Sequence, residues 1–582
     1  MTLETSKENP RKPKKAPQTP RPSPLPSSFH PILKKIFESR QMDAEEVERF
    51  LSWDLKELPP LTSLLDLDEA AHRLLKAIDQ KETIGIYGDY DVDGTTSCAL
   101  FHRFFQYLGV SVRLYQPDRF KDGYGLHVHC VEQIISHGVT LLITVDCGIT
   151  DAEAADYAAG KGLDLIITDH HKDAREEMPK ALAVVNPNRR DESCPPELKA
   201  LAGVGVAFAV CLRTRELALE SDLPCPSLYP LLPFVAIGTL CDMVELGPMN
   251  LKLVRHGLKA VKETRYEGLK KLFPPEQRKR DNIESEYISF YVGPLINSKG
   301  RLDHPEKALE LLTTDGPGEA FEHFNQLTLC NQKRKAIQNE VFDEAKKQIL
   351  AQTNPEELYA TVAYAPHWHE GVIGIVASKL VETFKVPSIV FSESSEKGII
   401  KGSARSAGAL NMHEALSRCS DLFTKFGGHR AAAGLSMPTK NLELFKKRFD
   451  DTLRMIEPTQ RKAKNHFDLC VSLDDIGPEL ALSLELLEPF GAKNPKPVFR
   501  AHDALLESFQ ILKDQHVRWT FRTPSGKRTF GGISFFFIGR WGALHPKELT
   551  AMGKKTFTIE FSLGFNHFRG NKFLQLNVSN IF

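Results

Sequence analysis

The stretch Thr83-Ile84-Gly85-Ile86-Tyr87-Gly88-Asp89-Tyr90-Asp91-Val92-Asp93-Gly94 is a short apolar run that breaks off into three carboxylates. The arrangement recurs twice. Leu141-Leu142-Ile143-Thr144-Val145 ends at Asp146-Cys147-Gly148, and Leu165-Ile166-Ile167-Thr168 ends at Asp169-His170-His171. Residues 83–87, 111–115, 140–145 and 164–168 read as strands, and 95–108, 127–137 and 151–160 have helical composition and length. Strands alternating with helices imply βαβ units and a parallel sheet. Ligands in such a sheet gather outside the carboxyl ends of its strands, so the three tips converge on one crevice. Carboxylates a few ångströms apart raise each other's pKa or require a cation, and a divalent metal is the simplest answer.

Each tip alone is weak evidence. Asp91 and Asp93, two positions apart, face one side of an extended loop, but Asp-x-Asp is also a common surface turn. Asp146 reads equally well as a helix cap, and one of the paired histidines as a satisfied core residue. The joint pattern at three strand ends favours function.

Outward from this block, residues 1–29 are a basic, Pro-rich segment too poor in apolar groups to offset its ordering entropy, so a disordered tail is expected. Gly203–Glu220 reads as a helix. Residues 305–350 carry long helical patterning suited to a connector between two lobes. A second α/β pattern spans about 358–455, with strands at Ala360–Ala365 and Ser388–Phe391 and a helix at Gly374–Phe384. Pro458 to Lys464 reads as a linker. The last ninety residues, with strands at Val517–Phe521, Thr529–Phe537, Thr556–Leu563 and Phe573–Val578, suggest a small barrel.

Composition narrows the class. The 582 residues are 41% hydrophobic and 26% charged, without an apolar run of membrane-spanning length or a signal-peptide core. Ten cysteines without a C-x-x-C pair indicate reduced thiols in a cytoplasm and argue against cysteine-bound zinc. The net charge of zero is segregated. Lys493 to Phe582 holds fourteen Lys/Arg against five Asp/Glu, a local +9, so residues 1–492 carry −9. The C-terminal segment is thus suited to a polyanion.

The motif order resembles the DHH phosphoesterase superfamily. Gly88–Gly94, Val145-Asp146-Cys147-Gly148, Asp169-His170-His171 and Gly238-Thr239-Leu240-Cys241-Asp242 look like its successive motifs. His369-Glu370-Gly371-Val372-Ile373-Gly374, Gly402-Ser403-Ala404-Arg405-Ser406 and Phe426-Gly427-Gly428-His429 resemble the associated DHHA1 domain. Leu487-Glu488-Pro489-Phe490-Gly491 with Asn494-Pro495-Lys496-Pro497 resembles the lead-in to the OB-fold of the RecJ family, single-strand-specific exonucleases. The resemblance implies an α/β chain: a parallel-sheet DHH domain (30–300), a helical connector (301–354), a smaller α/β DHHA1 domain (355–460) and a β-barrel OB-fold (461–582).

Carried over by position, Asp91, Asp93, Asp146, His170 and Asp242 are the implied ligands of two divalent ions, Mn²⁺ or Mg²⁺, with Asp146 bridging. Asp89 and His171 join Asp146 as catalytic residues, His171 as donor to the leaving oxygen, and Asp169 orients the histidines. Tyr87 departs from the family, which often places His there, and removes a nitrogen ligand. Arg119, Arg301, Ser403, Arg405 and His429 are the implied grip on a 5′-terminal nucleotide. On the barrel, Trp519, Arg518, Arg528, Arg569 and Lys572, interleaved with Phe521, Phe530, Phe568 and Lys527, would hold a single strand by stacking and charge, although most of the phenylalanines are expected in the core. The implied activity is 5′→3′ exonucleolysis of single-stranded DNA in repair and recombination, with a single-strand-binding protein and a recombination helicase as partners. The rivals are a small-substrate phosphodiesterase and a catalytically silent replication scaffold.

Overall fold

The structure, a computed structural model, describes residues 28–172, 177–352, 358–461, 467–538, 545–551, 556–568 and 571–582. Nearly all of the basic tail lies outside these residues.

Five parallel strands, β1 (Ile84–Gly88), β2 (Val112–Tyr115), β3 (Leu141–Val145), β4 (Asp164–Thr168) and β5 (Ala183–Val185), form the first sheet in the order β2-β1-β3-β4-β5. β1 and β3 are buried at every position, as strands covered by helices on both faces must be. The order reverses between β1 and β3, so the crevice at their carboxyl ends is a topological switch point. The acidic tips expected from the sequence open into it. The Gly203–Glu220 helix has the bounds the sequence suggested.

The helical patterning at 305–350 divides into Glu306–Thr313 and a 36-residue helix, Pro317–Gln352. Thr314-Asp315-Gly316 interrupts them, and the Thr314 hydroxyl donates to Glu319 at 2.5 Å. The long helix reaches about 54 Å at 1.5 Å per residue. Ala320 and Leu327 pack into the core of the first lobe, and Val341, Ala345 and Ile349 into that of the second, so one rod serves both.

The second lobe holds β6 (Thr361–Tyr364), β7 (Ser388–Glu393), β8 (Ile399–Arg405), β9 (Lys425–Gly428) and β10 (Ala432–Pro438) in the order β6-β7-β8-β10-β9. β6 and β7 are parallel and the other pairs antiparallel. The helix between β6 and β7 is Glu370–Phe384, four residues longer than expected, because His369 Nδ1 caps it by accepting from Gly371 N–H at 3.0 Å.

The C-terminal barrel is built from β11 (Leu469–Cys470), β12 (Phe499–Leu512), β13 (His516–Arg522), β14 (Thr529–Ser534), β15 (Thr556–Phe568) and β16 (Asn571–Ile581). β15 pairs back onto β12 and closes five strands, while β11 adds to β12 from outside. Trp519 contradicts its assigned role in stacking bases. It is 0% exposed, and its indole N–H donates to Ser534 Oγ at 2.8 Å inside the barrel. Alternation along β13 explains this: Val517, Trp519 and Phe521 share the inner face, and Arg518 and Arg522 the outer. Phe530 and Phe537 are also buried, whereas Phe535 and Phe536 are exposed. Arg569 and the side chain of Phe568 lie outside the described residues.

The barrel's lead-in docks on the first domain. Glu488 Oε2 accepts from Ser285 Oγ at 3.1 Å and from Phe490 N–H at 3.0 Å, and Arg255 Nε donates to the Glu488 carbonyl at 2.9 Å. Burial pushes the Glu488 carboxyl from 4.5 up to about 7, against the pull of Lys496 and the Phe490 amide. The folded state therefore holds this proton more tightly than the unfolded chain does. Its contribution is complete below the unfolded pKa and is lost as pH rises through about 7. Glu488→Gln, which keeps the acceptor oxygen, is expected to unfold at higher temperature than wild type in mildly alkaline buffer, by up to roughly 3 kcal/mol. The difference should vanish in acid, as thermal melts across that window will read.

Candidate active site

The tip of β1 turns directly into the Val92–Tyr107 helix. Asp91 is its N-cap, and one carboxylate oxygen accepts from Gly94 N–H at 3.1 Å. Asp93, fully buried, accepts from Gly203 N–H at 2.6 Å and Val204 N–H at 3.0 Å, the first amides of the Gly203–Glu220 helix. Those amides hold the carboxylate at a positive helix end. Asp146 follows β3 in a left-handed conformation, φ 59°, which a non-glycine residue adopts at a cost and which aims its side chain into the crevice. Asp242 ends the Leu232–Asp242 helix. One turn earlier, a Cβ on Gly238 would lie 2.5 Å from Thr96 Oγ1 and 2.7 Å from Asp93 Oδ1, so only glycine fits.

These groups converge. Asp93, His170 and Asp242 offer donor atoms within 4.8 Å of one another, as do Asp89, Asp91 and Asp146, and as do Asp146, His170 and His171. His170 Nε2 lies 3.2 Å from Asp146 Oδ1, 3.5 Å from Asp242 Oδ2 and 4.0 Å from Asp93 Oδ2. The 3.2 Å approach lacks hydrogen-bond direction. His170 Nε2, Asp146 Oδ1 and Asp89 Oδ1 are all buried without a hydrogen-bond partner. Burial and the neighbouring carboxylates push Asp89, Asp93 and Asp146 well above the usual carboxylate range, and burial lowers His170. Orphaned oxygens and a neutral imidazole around one space are the donor set of a hard-to-borderline divalent cation.

His171 points differently. Its Nδ1 lies 2.8 Å from Asp169 Oδ1 and 3.0 Å from the Tyr124 hydroxyl, which itself donates to the Asp146 carbonyl at 3.2 Å. Asp169, fully buried, also accepts from the backbone amides of His170, His171 and Ile149. Burial disfavours the imidazolium of His171, but the hydrogen bond and charge of Asp169 outweigh it and push the pKa up to about 9. Asp169 thus orients and charges His171, leaving Nε2 for other work.

Tyr87 does not face this crevice. Its ring packs with Leu126, Cys130 and Leu142 on the other side of the sheet, and its hydroxyl donates to the Gly125 carbonyl at 2.9 Å.

A second cluster carries the opposite sign. The Arg119 guanidinium lies 4.9 Å from the Tyr90 ring centre. Arg301 Nη1 donates to the Gly371 carbonyl at 3.4 Å across the interlobe gap, and Arg405, at the end of β8, donates to Ser403 Oγ at 3.0 Å and to its neighbour's carbonyl. Burial and the charges of Arg119, Arg334 and Arg405 push Arg301 down to about 9. None of these four guanidiniums pairs with a carboxylate among the described residues. His429 stands apart, exposed in the turn between β9 and β10, with its amide on the Ala432 carbonyl.

Three residues escaped the sequence reading as site residues. Arg334 lies within the helical patterning at 305–350, Tyr90 is a spacer between carboxylates, and Tyr124, five residues past Arg119, has no role of its own in that reading.

Comparison with known proteins agrees with this geometry. Family models match in order: the DHH family, N-terminal domain, over residues 83–239, the DHHA1 domain over 357–455 and the RecJ OB domain over 467–580. The single-stranded-DNA-specific exonuclease RecJ of Escherichia coli is 34% identical over 576 residues, 96% of each chain. The chain belongs to the RecJ family. RecJ of Bacillus subtilis is 36% identical over 506 residues, 85% of this chain and 62% of that protein. The manganese complex of RecJ from Thermus thermophilus superposes with a TM-score of 0.74 at 27% identity, covering 94% of this chain and 75% of that one. Its magnesium complex gives 0.70 at 26%, covering 95% and 74%. As a RecJ-family enzyme this chain is a metal-dependent nuclease, and its orphaned donors fit the Mn²⁺ or Mg²⁺ of those structures.

Adding Mn²⁺ is expected to raise the melting temperature, by roughly 3 kcal/mol of stability when the metal is about 100-fold above its Kd. Asp146→Ala should remove most of that gain, and Gly238→Ala should do the same without deleting a ligand. Calorimetry with and without metal reads both.

Proposed function

We propose that this chain degrades single-stranded DNA from its 5′ end, releasing 5′-mononucleotides in DNA repair and recombination. The observation that carries the reading is the abutment of the two clusters: Tyr90, between Asp89 and Asp91 in sequence, lies under the guanidinium of Arg119. An anion held by the arginines and a phosphodiester at the carboxylates would then be neighbours on one strand.

In this reading Asp93, His170 and Asp242 hold one cation, Asp89 and Asp91 the other, and Asp146 serves both. Bound there, divalent ions supply an activated water and neutralise charge on the phosphoryl oxygens. The rest is done by the chain's own groups. Asp169 keeps His171 protonated, so its Nε2–H can donate to the leaving 3′-oxygen. The Tyr124 hydroxyl meets the same Nδ1 as Asp169 and helps to fix the ring. Arg119, Arg301 and Arg405, with Ser403, hold the 5′-phosphate, because guanidinium forks match phosphate and stay charged. His429, exposed in the turn beyond the ladder that carries Arg405, stands outside this grip.

The barrel supplies strand capture through its outer face. Arg518 and Lys527 are exposed there. Arg528 and Lys572 are partly engaged within the chain, the first with the Asp474 and Ile476 carbonyls and the second with Glu485 at 2.9 Å. A strand of this kind is freed by a recombination helicase and covered by a single-strand-binding protein, so these are the protein partners of the reading. No described helix is long and apolar enough to cross a membrane, and all ten cysteines are free thiols, in keeping with a cytoplasmic site of action.

A Mn²⁺-dependent assay on end-labelled single strands tests the assignment. Mononucleotides should appear from the 5′ end, Asp146→Ala should abolish them, and His171→Ala should lower kcat by about 10²–10⁴. Arg405→Ala should chiefly raise KM for 5′-phosphorylated strands. Attack starting at the 3′ end, or cutting of circular single strands, would refute the polarity. A substrate-length series separates this activity from a small-substrate phosphodiesterase, which would turn over dinucleotides as fast as long strands.

A further inference from the structure

On the opposite side of the first sheet from the carboxylate crevice, a smaller group of unlike donors meets. His129 Nε2 lies 2.9 Å from Asp122 Oδ1 and 3.4 Å from Cys130 Sγ, and the three donor atoms are mutually within 4.8 Å. One ring nitrogen therefore faces two acceptors and can give a proton to one of them. We propose that Asp122, His129 and Cys130 form a separate cation site that takes a borderline metal such as Zn²⁺, independently of the nuclease centre.

The geometry suits that ion. Tetrahedral bonds of 2.0–2.3 Å place oxygen, nitrogen and sulfur donors about 3.3–3.6 Å apart. The nitrogen–sulfur separation already matches, and the nitrogen–oxygen pair needs to open by a few tenths of an ångström. His129 and Cys130 are adjacent in the first turn of the Val128–Ser136 helix, and Asp122 comes from the loop before it. The group borders a cavity of about 300 Å³, whose far wall holds His304 and Glu306. Three protein donors with a fourth position facing a cavity describe an open site, not a sealed structural one. A thiolate with an imidazole and one carboxylate prefers Zn²⁺ over the Mn²⁺ or Mg²⁺ suited to the oxygen-rich centre. On binding, the Cys130 thiol releases its proton to solvent, and His129 coordinates through Nε2 as the neutral ring with its single proton on Nδ1.

The position gives occupancy a consequence. Asp122 Oδ2 accepts from Asp118 N–H at 2.7 Å, and the Asp122 amide returns a bond to the Asp118 carbonyl at 2.8 Å. This closes the turn that carries Arg119, and the same loop continues to Tyr124 at the nuclease centre. A cation on Asp122 pins that turn from outside.

Co²⁺ added to the full-length protein is the probe, since a thiolate ligand gives a near-ultraviolet charge-transfer band that oxygen and nitrogen ligands do not. The band should appear with wild type and with Asp146→Ala, and Zn²⁺ should displace it. Cys130→Ser should abolish it while leaving Mn²⁺-dependent nuclease activity intact when no Co²⁺ or Zn²⁺ is present. His129→Gln, at an exposed ring, should weaken Co²⁺ binding by about tenfold or more. Absence of the band in wild type, or its survival in Cys130→Ser, would overturn the proposal and leave an Asp122–His129 ion pair.

Discussion

The first and second lobes are organised around buried like charges that have no counter-charge of their own. Asp89, Asp93 and Asp146 are nearly or fully buried beside Asp91 and Asp242, and the fold keeps them there with the amides of Gly203 and Val204 and the left-handed backbone of Asp146. Across Tyr90, whose ring centre lies 4.9 Å from the Arg119 guanidinium, the arginines repeat the problem with the sign reversed. Neither cluster is stable as a bare set of charges, because burial raises the free energy of each ion and its neighbours add to it. The carboxylate site is one whose electrostatics a divalent cation completes; in the function proposed above, the phosphate of the substrate would complete the arginine cluster in the same way.

The two clusters are held differently. The carboxylates belong to one domain: Asp89, Asp91, Asp93 and Asp146 follow the tips of β1 and β3, whose register sets their spacing, and Asp242 ends a helix packed beside them. Arg119 and Arg301 belong to the first lobe, Arg334 to the connecting helix and Arg405 to the second lobe. Their repulsion works against closing the lobes. What opposes it is close backbone contact: a Cβ on Gly371 would fall 1.8 Å from the Arg301 carbonyl, and Phe120 meets the His369 ring edge-on across the gap at 5.8 Å. The shared core along Pro317–Gln352 supplies the remaining rigidity.

This division also decides what was legible in the sequence. The strand tips were readable because apolar runs of period-independent burial end at charged residues, and a parallel sheet puts such ends together. Asp242, on a helix terminus, carried no such signal and was reached by family likeness. Arg334 was hidden because a buried guanidinium in a charged helix looks like any solvated cation; its partners Asn331 and Gln338 sit three and four residues away on the same helix. Tyr87 looked like a lost ligand, but the alternation of β1 turns it to the far face. The helical patterning at 305–350 divides because Thr314 and Gly316 break a pattern whose charge periodicity runs straight through.

The barrel shows the limit of reading composition along a strand. Aromatic residues alternating with cations are what a single-strand-binding surface requires, and they are equally what any strand with one wet face and one dry face requires. On β13 the second description holds: Trp519 and Phe521 are interior, and Arg518 alone of that trio faces out. The +9 of the last ninety residues is a property of the sequence and is untouched by this correction; of its described charges, Glu560 is buried against Arg500, whereas Arg518 and Arg522 face out. Among the described residues Arg518 and Lys527 face solvent, and Phe535 and Phe536, just past β14, are the exposed aromatics of this stretch. Charge without a stacking ladder would hold a backbone without reading its bases, which suits the sequence-independent strand capture proposed above for this domain.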